Sequence, residues 1–507
     1  MYAITSNAMR YMEEYTMSAG IPGNVLMELA GKSVAEEIIL RFPNPKTSIL
    51  ILCGSGKNGS DGLVCARWLL NKNYLNTSIL FVGDRGKISS EFFEQAEMLV
   101  KLHPKVDIDE LSYGNRTTKN INADVLVDSI YGIGLNRQLK ERDIELINYI
   151  NTQSSYKISV DIPTGLEASE GKVMGTAIIA DLTLTFGYYK TGMFFGRGKE
   201  YCGEVKLIDI GLSKEGLKNI PDKITICNRE FYDKTVADAL IRRNESGHKG
   251  SFGTVGIVVS SKGMLGASIL VARSAYRSGC GLVKILCPKE SVSTFNANIP
   301  EAVVVPYNER SVCRELEDFI NGVDVVLIGP GLSEDVLGET LVDTVLEGNT
   351  PAVFDAGALN IIAGRLDKFH KRKCQCVLTP HLGEMARLCG LSKRKVISKL
   401  PSYTYIFSQD YKVSVVAKSD ISLICLDRHE TGNELFLNTT GNSGLATAGS
   451  GDVLAGVIAS LIAQGNSLND SLLYGVMIHG IAADKSATTE NLRRRMMAGD
   501  IVDNLFL

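Results

Sequence analysis

The chain has no excess of positive charge. Its 54 lysines and arginines fall short of its 57 aspartates and glutamates, and a net charge of −3 gives no electrostatic footprint for nucleic acid. The run Arg493, Arg494 and Arg495 reads as a solvated helix face. Long apolar runs are missing too: "VLAGVIASLIA", from Val453, falls short of the ~18 residues a membrane span needs. The opening "MYAITSNAMR" lacks the basic-then-apolar order of a secretory leader. The 11 cysteines include no C-x-x-C pair, Cys374 and Cys376 being the closest two, so buried free thiols in a reducing compartment are expected. Short repeats and low-complexity tracts are absent. These gaps predict a soluble cytoplasmic protein with neither nucleic acid nor membrane as partner.

At 507 residues the chain exceeds what one hydrophobic core supports, which predicts two domains. Short β-branched runs alternate with helical patterns throughout, the signature of α/β folds with mostly parallel sheets. In the first half the runs are "SILILC", "SILFV", "ADVLVDSI", "YKISVDI", "ADLTLTF" and "EVKLIDI". Residues 24–42 ahead of them read as a helix, with Asn24 as N-cap and Leu26, Leu29, Ala30, Val34 and Ile38 on its apolar positions. The second half restarts with "GTVGIVVSS", "GLVKILCP", "DVVLIGPG", "PAVFDAG", "QCVLTP", "VSVVAKS" and "SLICLD". The polar, Gly/Pro-punctuated residues 212–225 mark the boundary between two unlike α/β domains.

Residues 54–62, "GSGKNGSDG", follow the first strand run and open a helix. Gly54, Gly56 and Gly59 have G-x-G-x-x-G spacing, which suits a phosphate at a helix N-terminus. The spacing is weak evidence alone, and the Walker order fails because Lys57 precedes the last glycine. Two further strand ends add to it. "VDSIYGIGLNRQL" sets Asp128 before a second glycine-rich loop, and "VDIPTGL" sets Asp161 three residues before Thr164. Ligands of open parallel sheets gather beyond the carboxyl ends of the strands. There Asn58, Asp128 and Thr164 could offer oxygen ligands to a cation, with Asp161 facing substrate.

Together with "LTFGYYKTG", these motifs resemble the NAD(P)H-hydrate epimerase family across residues 1–215. The resemblance implies a Rossmann-like three-layer domain that interconverts the C6 epimers of hydrated, redox-dead nicotinamide dinucleotides. It implies potassium on Asn58, Asp128 and Thr164. It implies substrate contacts from Lys57, Asn58, Gly59, Ser60 and Asp61, and from Gly132, Ile133, Gly134, Leu135, Asn136, Arg137 and Gln138. Asp161 would be both contact and acid/base, since epimerisation needs proton transfer at a positioned group. Lys57 and Ser60 depart from the usual two Asn and two Gly of that loop.

In the second half, "NTTGNSGLATAGSGDVLAGVIASLIAQG" puts Gly449, Ser450 and Gly451 before an apolar helix, so consecutive amides could form an anion hole, with Asp452 at the start. An aspartate beside an anion hole suits phosphoryl transfer: it takes the proton of an attacking hydroxyl while amides hold the moving phosphoryl charge. That pattern fits a ribokinase-type small-molecule kinase with a merely binding first half. The ordered set "HKGSFGTVGIVVSSKGMLGASILVARSAYRSGCGLV", "LIGPGL", "FDAGALN", "LTPHLGEMARL" and "AGSGDVLAG" narrows it, and is similar to the ADP-dependent NAD(P)H-hydrate dehydratase family. The resemblance implies a ribokinase-like α/β domain over residues 225–507, using Mg²⁺ and ADP as phosphoryl donor. It implies Asp452 as base and Gly449, Ser450 and Gly451 as anion hole. Ala267, Gly331, His381 and Asp452 would contact the hydrate; Lys418, Ser419, Asp420, Ile421, Ser422 and Gly451 would contact the nucleotide. Ala448, Leu382 and the "KSDIS" segment depart from the family's usual residues. The two halves would act as one repair enzyme, expected to form a homo-oligomer.

Overall fold

The computed structural model describes residues 1–110, 121–240, 245–428 and 432–506. Two compact units divide the chain, Met1–Ile224 and Thr225–Leu507.

The strands of the first unit are β1 (Tyr2–Ile4), β2 (Ile49–Cys53), β3 (Thr77–Phe81), β4 (Ile108–Glu110), β5 (Val125–Ser129), β6 (Tyr156–Val160), β7 (Leu182–Phe186), β8 (Tyr189–Lys190) and β9 (Glu204–Ile208). Seven of them form a parallel sheet in the order β4-β3-β2-β5-β6-β7-β9. Strands β2, β5 and β7 are buried at every residue, as near-continuous apolar runs require when helices cover both faces. Chain direction across the sheet reverses between β2 and β5, so the crevice beyond Cys53 and Ser129 is the topological switch point. There a Cβ on Gly54 would lie 1.9 Å from the Ile130 carbonyl oxygen, and one on Gly59 1.9 Å from that of Gly54. The fingerprint glycines thus let main chain press on main chain. The segment read as a helix over 24–42 is Gly23–Arg41, capped by Pro22 rather than Asn24.

The N-terminal elements had no counterpart in the sequence reading. Strand β1 pairs in parallel with β8, Ile4 opposite Lys190, and leads into helix Ser6–Ser18. Both strands are too short for their period to stand out.

The second unit's strands are β10 (Ile224–Cys227), β11 (Thr254–Val258), β12 (Leu282–Pro288), β13 (Val303–Tyr307), β14 (Val325–Ile328), β15 (Ala352–Phe354), β16 (Cys376–Leu378), β17 (Ser414–Ala417), β18 (Ser422–Leu426) and β19 (Glu434–Asn438). Strands β13-β12-β11-β14-β15-β16-β17 run parallel, and β18 and β19 add antiparallel. Pro306 fits β13 because that strand is an edge. Helix Ser450–Ala463 is buried at every residue from Val453 onward. It packs against helix Leu265–Arg277 so closely that a Cβ on Gly456 would sit 2.0 Å from Ser274 Oγ and 2.5 Å from the Val271 oxygen. Among the described residues no helix is long and apolar enough to cross a membrane. The cysteines form no disulfides, and most are buried.

Candidate functional site

A cavity of about 1120 Å³ opens at the first unit's switch point. Its walls include Lys57, Asn58 and Asp61 from the loop after β2, residues 130–137 after β5, and Asp161 after β6. Gly59, Ser60 and Gln138 are not on its lining: the Ser60 hydroxyl turns back to the Gly56 oxygen, and Gln138 Nε2 lies 3.9 Å from Met174 Sδ.

Asp161 has φ +68°, a left-handed conformation costly for a residue with a Cβ and frequent at functional sites. Its Oδ1 accepts from the ammonium of Lys190, a side chain with 0% exposure, and from the Phe186 amide at 3.2 Å. Lys190 also donates to Thr185 Oγ1 and to the Phe186 oxygen, both at 2.9 Å. Lys190 lies inside the "LTFGYYKTG" motif, yet the sequence reading gave it no role. Burial above all, then the charges of Asp161 and Glu13, pushes the Asp61 carboxyl well up; Lys57 and Lys190 pull the other way.

Asp128 is fully buried, and its carboxylate accepts from Thr164 Oγ1 (2.6 Å), the Thr164 amide (2.8 Å), Ser159 Oγ (2.9 Å) and the Ile130 amide (3.3 Å). Desolvation raises its pKa despite those bonds. Thr164 Oγ1 also accepts from the Tyr131 amide at 2.9 Å, while the Asn58 amide packs against Gly132. The Asn58 Nδ2 is buried without a partner. Turned over, that amide would present a buried carbonyl oxygen with no protein donor, a condition a cation relieves. The oxygen donor set fits a hard cation.

In the second unit the polar groups follow the carboxyl ends of parallel strands: Gly331 after β14, Asp355 after β15, His381 after β16 and Lys418 after β17. Gly449, at φ +89°, caps helix Ser450–Ala463, whose first-turn amides have no carbonyl partners within the helix. Lys418 Nζ bonds Asp355 Oδ1 at 2.7 Å and lies 3.1 Å from where a Cβ on Gly451 would sit. Burial, reinforced by Asp355 and opposed by Lys418, pushes the Asp452 carboxyl up to about 6. His381 N-caps helix Leu382–Leu388, its Nδ1 accepting from the Gly383 and Glu384 amides at 2.9 and 3.2 Å. Burial and the neighbouring cations Lys418 and Arg387 lower its pKa, while burial lifts Glu384 to about 7.

Gly331 meets the start of helix Leu265–Arg277, where a Cβ would lie 2.5 Å from Ser268 Oγ, next to Ala267. The same helix sends Leu270 to Gly449, at the N-terminus of helix Ser450–Ala463. Ser419, Asp420 and Ile421 form the turn between β17 and β18, and Ser422 begins β18. Asp355, Glu384 and His479 were missed. Asp355 and Glu384 sit within quoted motifs. His479 is buried, which depresses its pKa to about 4; only the fold brings it there.

Residues 255–506 match the family described as NAD(P)H-hydrate dehydratase, and residues 23–192 match the YjeF-related protein N-terminus. A bifunctional NAD(P)H-hydrate repair enzyme from Moorella thermoacetica is 33% identical over 524 residues, covering 100% of this chain and 96% of its own. The chain belongs to this family. A second bifunctional NAD(P)H-hydrate repair enzyme, from Coxiella burnetii, is 31% identical over 98% of this chain and 97% of its own. The family's two parts are a Rossmann-like first domain and a ribokinase-like second. The solved ADP/ATP-dependent NAD(P)H-hydrate dehydratase from Bacillus subtilis, co-crystallized with ATP/Mg²⁺, is 27% identical, with a TM-score of 0.48, over 56% of this chain and 96% of its own.

Proposed function

We propose that the chain repairs hydrated NAD(P)H in two steps. Residues 1–215 interconvert the R and S forms, and residues 225–507 dehydrate the S form at the expense of ADP, giving AMP and phosphate. One observation carries the reading: a chain with a ligand-sized cavity beside Asp161 and Lys190, and a second polar cluster of Asp452, Lys418 and Asp355, is related over its whole length to bifunctional repair enzymes.

In the second unit, Asp452 takes the proton of the C6 hydroxyl as its oxygen attacks the β-phosphorus of ADP, and AMP leaves with the bridging oxygen. The amides of Gly449, Ser450 and Gly451 hold the phosphoryl charge in flight. The nicotinamide nitrogen lone pair then expels phosphate from C6, and loss of a C5 proton restores the ring. Ala267, Gly331 and His381 would contact the hydrate; Lys418 and residues 419–422 would contact the nucleotide, whose phosphates would carry Mg²⁺. Lys418, held by Asp355, supplies a fixed positive charge beside the anion hole.

In the first unit, Lys57, Asn58, Asp61 and residues 132–137 would surround the hydrate, with Asp161 moving the proton; Gly59, Ser60 and Gln138 would support that wall. Potassium would sit against Asn58, Asp128 and Thr164, where it supplies positive charge for a dinucleotide phosphate. The enzyme would work in the cytoplasm. Val25, Leu29 and Leu40, exposed on helix Gly23–Arg41, support a homo-oligomer packed through that helix.

The test mixes purified protein with each epimer separately, K⁺, Mg²⁺ and either ADP or ATP, following the absorbance of reduced nicotinamide. Recovery from both epimers is expected. A stable phosphorylated product with no recovered chromophore would instead make the second unit a kinase.

A further inference from the structure

Asp161 is poorly placed to complete an epimerisation alone. Inversion at C6 by loss and return of water needs a proton delivered to the departing oxygen on one face and a proton removed from the entering oxygen on the other. Lys190, itself without exposure, pins Asp161 Oδ1, and the Phe186 amide holds the same atom. One carboxylate fixed at a strand end serves one face.

The N-terminal segment supplies a second carboxyl. Strand β1 lies beside β8, which carries Lys190, so the lead-in to helix Ser6–Ser18 is fixed in register with Asp161's own partner. Thr5 caps the helix through Ala8, and the Ser6 amide donates to Ser169 Oγ at 3.0 Å. Met9 and Met12 bury into an apolar cluster with Tyr188, Leu217 and Ile220. Glu13, four residues beyond Met9, lies on the same face of the helix. Both line the cavity that Asp161 lines. This helix precedes the residues matched to the first family.

We propose that Glu13 is the second proton-transfer residue of the first unit, acting on the face of the substrate opposite Asp161. This rests on the epimerase reading above. Glu13 as the acid gives its proton to the C6 oxygen; the C–O bond breaks with its electron pair on oxygen, releasing water, while the nitrogen lone pair forms the C6=N bond. Water then adds from the other face, its electron pair forming the new C–O bond as its proton passes to Asp161. The reverse direction exchanges the two roles, so both epimers are served. Burial above all, then the Asp161 charge, pushes the Glu13 carboxyl up, against the pull of Lys190, Lys57 and Arg10, which favours its protonated form. Asp61 shares the cavity, but it belongs to the loop that cradles the substrate.

The test uses the full chain with Glu13→Gln, Glu13→Asp and Asp61→Asn, each given R hydrate with K⁺, ADP and Mg²⁺, corrected for spontaneous epimerisation. Glu13→Gln is expected to lower epimerase kcat about 100-fold or more with KM little changed. It also loses the alkaline limb of the parent's pH profile, and its turnover of pure S hydrate is intact. Glu13→Asp recovers part of kcat. Retention of parental kcat in Glu13→Gln, or a loss confined to KM, overturns the proposal, and a kcat loss confined to Asp61→Asn moves the role to Asp61. If the parent itself leaves R hydrate untouched, the epimerase reading fails instead.

Discussion

Asp161, in the turn after β6, and Asp452, in the first turn of helix Ser450–Ala463, are both carboxylates, but their surroundings differ. Asp452 has Lys418 nearby without a direct bond, and burial lifts its pKa to about 6. A base must be ionised to act, so dehydratase activity on S hydrate should fall as pH drops through about 6, seen in kcat/KM against pH. The linkage sign is opposite for stability: the folded chain binds this proton more tightly than the unfolded chain, whose value is near 3.8. That contribution is fully present below about pH 4 and fades as pH rises through about 6. Asp452→Asn should cost about 10²-fold or more in dehydration and leave epimerisation intact, checked by assaying each epimer. Asp161→Asn should impair only the turnover of R hydrate. Lys190→Met strands a buried carboxylate and should destabilise the first unit by roughly 3–5 kcal/mol, measured by urea unfolding.

Elements bring these residues together through contacts that tolerate little added volume. The amides proposed to hold phosphate head helix Ser450–Ala463, which seats on helix Leu265–Arg277, and Gly456 is where the two approach. Gly456→Val should therefore cost about 1–3 kcal/mol by overpacking, and should lower dehydratase activity more than epimerase activity. Denaturant unfolding together with both assays checks this. The strand runs of both sheets were legible because buried parallel strands are continuous apolar runs. Strands β1, β4, β8, β10, β13 and β19 were not: β1, β4 and β8 have only two or three residues, too few for a period to show, and Pro306 interrupts β13. Glu13 was illegible for the same reason: its placement depends on how β1 registers against β8.

For the whole chain, two sites in two units predict independent activities. A mixture of Asp161→Asn and Asp452→Asn proteins should consume R hydrate, since one variant makes the S form and the other dehydrates it, whereas each alone stalls. Failure of the mixture, with both single defects as described, would mean that S hydrate is not released between the steps. Sequence alone determined the two α/β units, the glycine loops and the kinship with hydrate repair, because these are carried by local order and spacing. Tertiary structure decided which loop residues face a cavity, and that Gly54 and Gly59 serve close main-chain packing. It also paired Lys190 with Asp161 and Lys418 with Asp355, and brought Glu13 to the site. Those partners lie tens of residues apart in the chain, and only the lateral pairing of strands makes them neighbours.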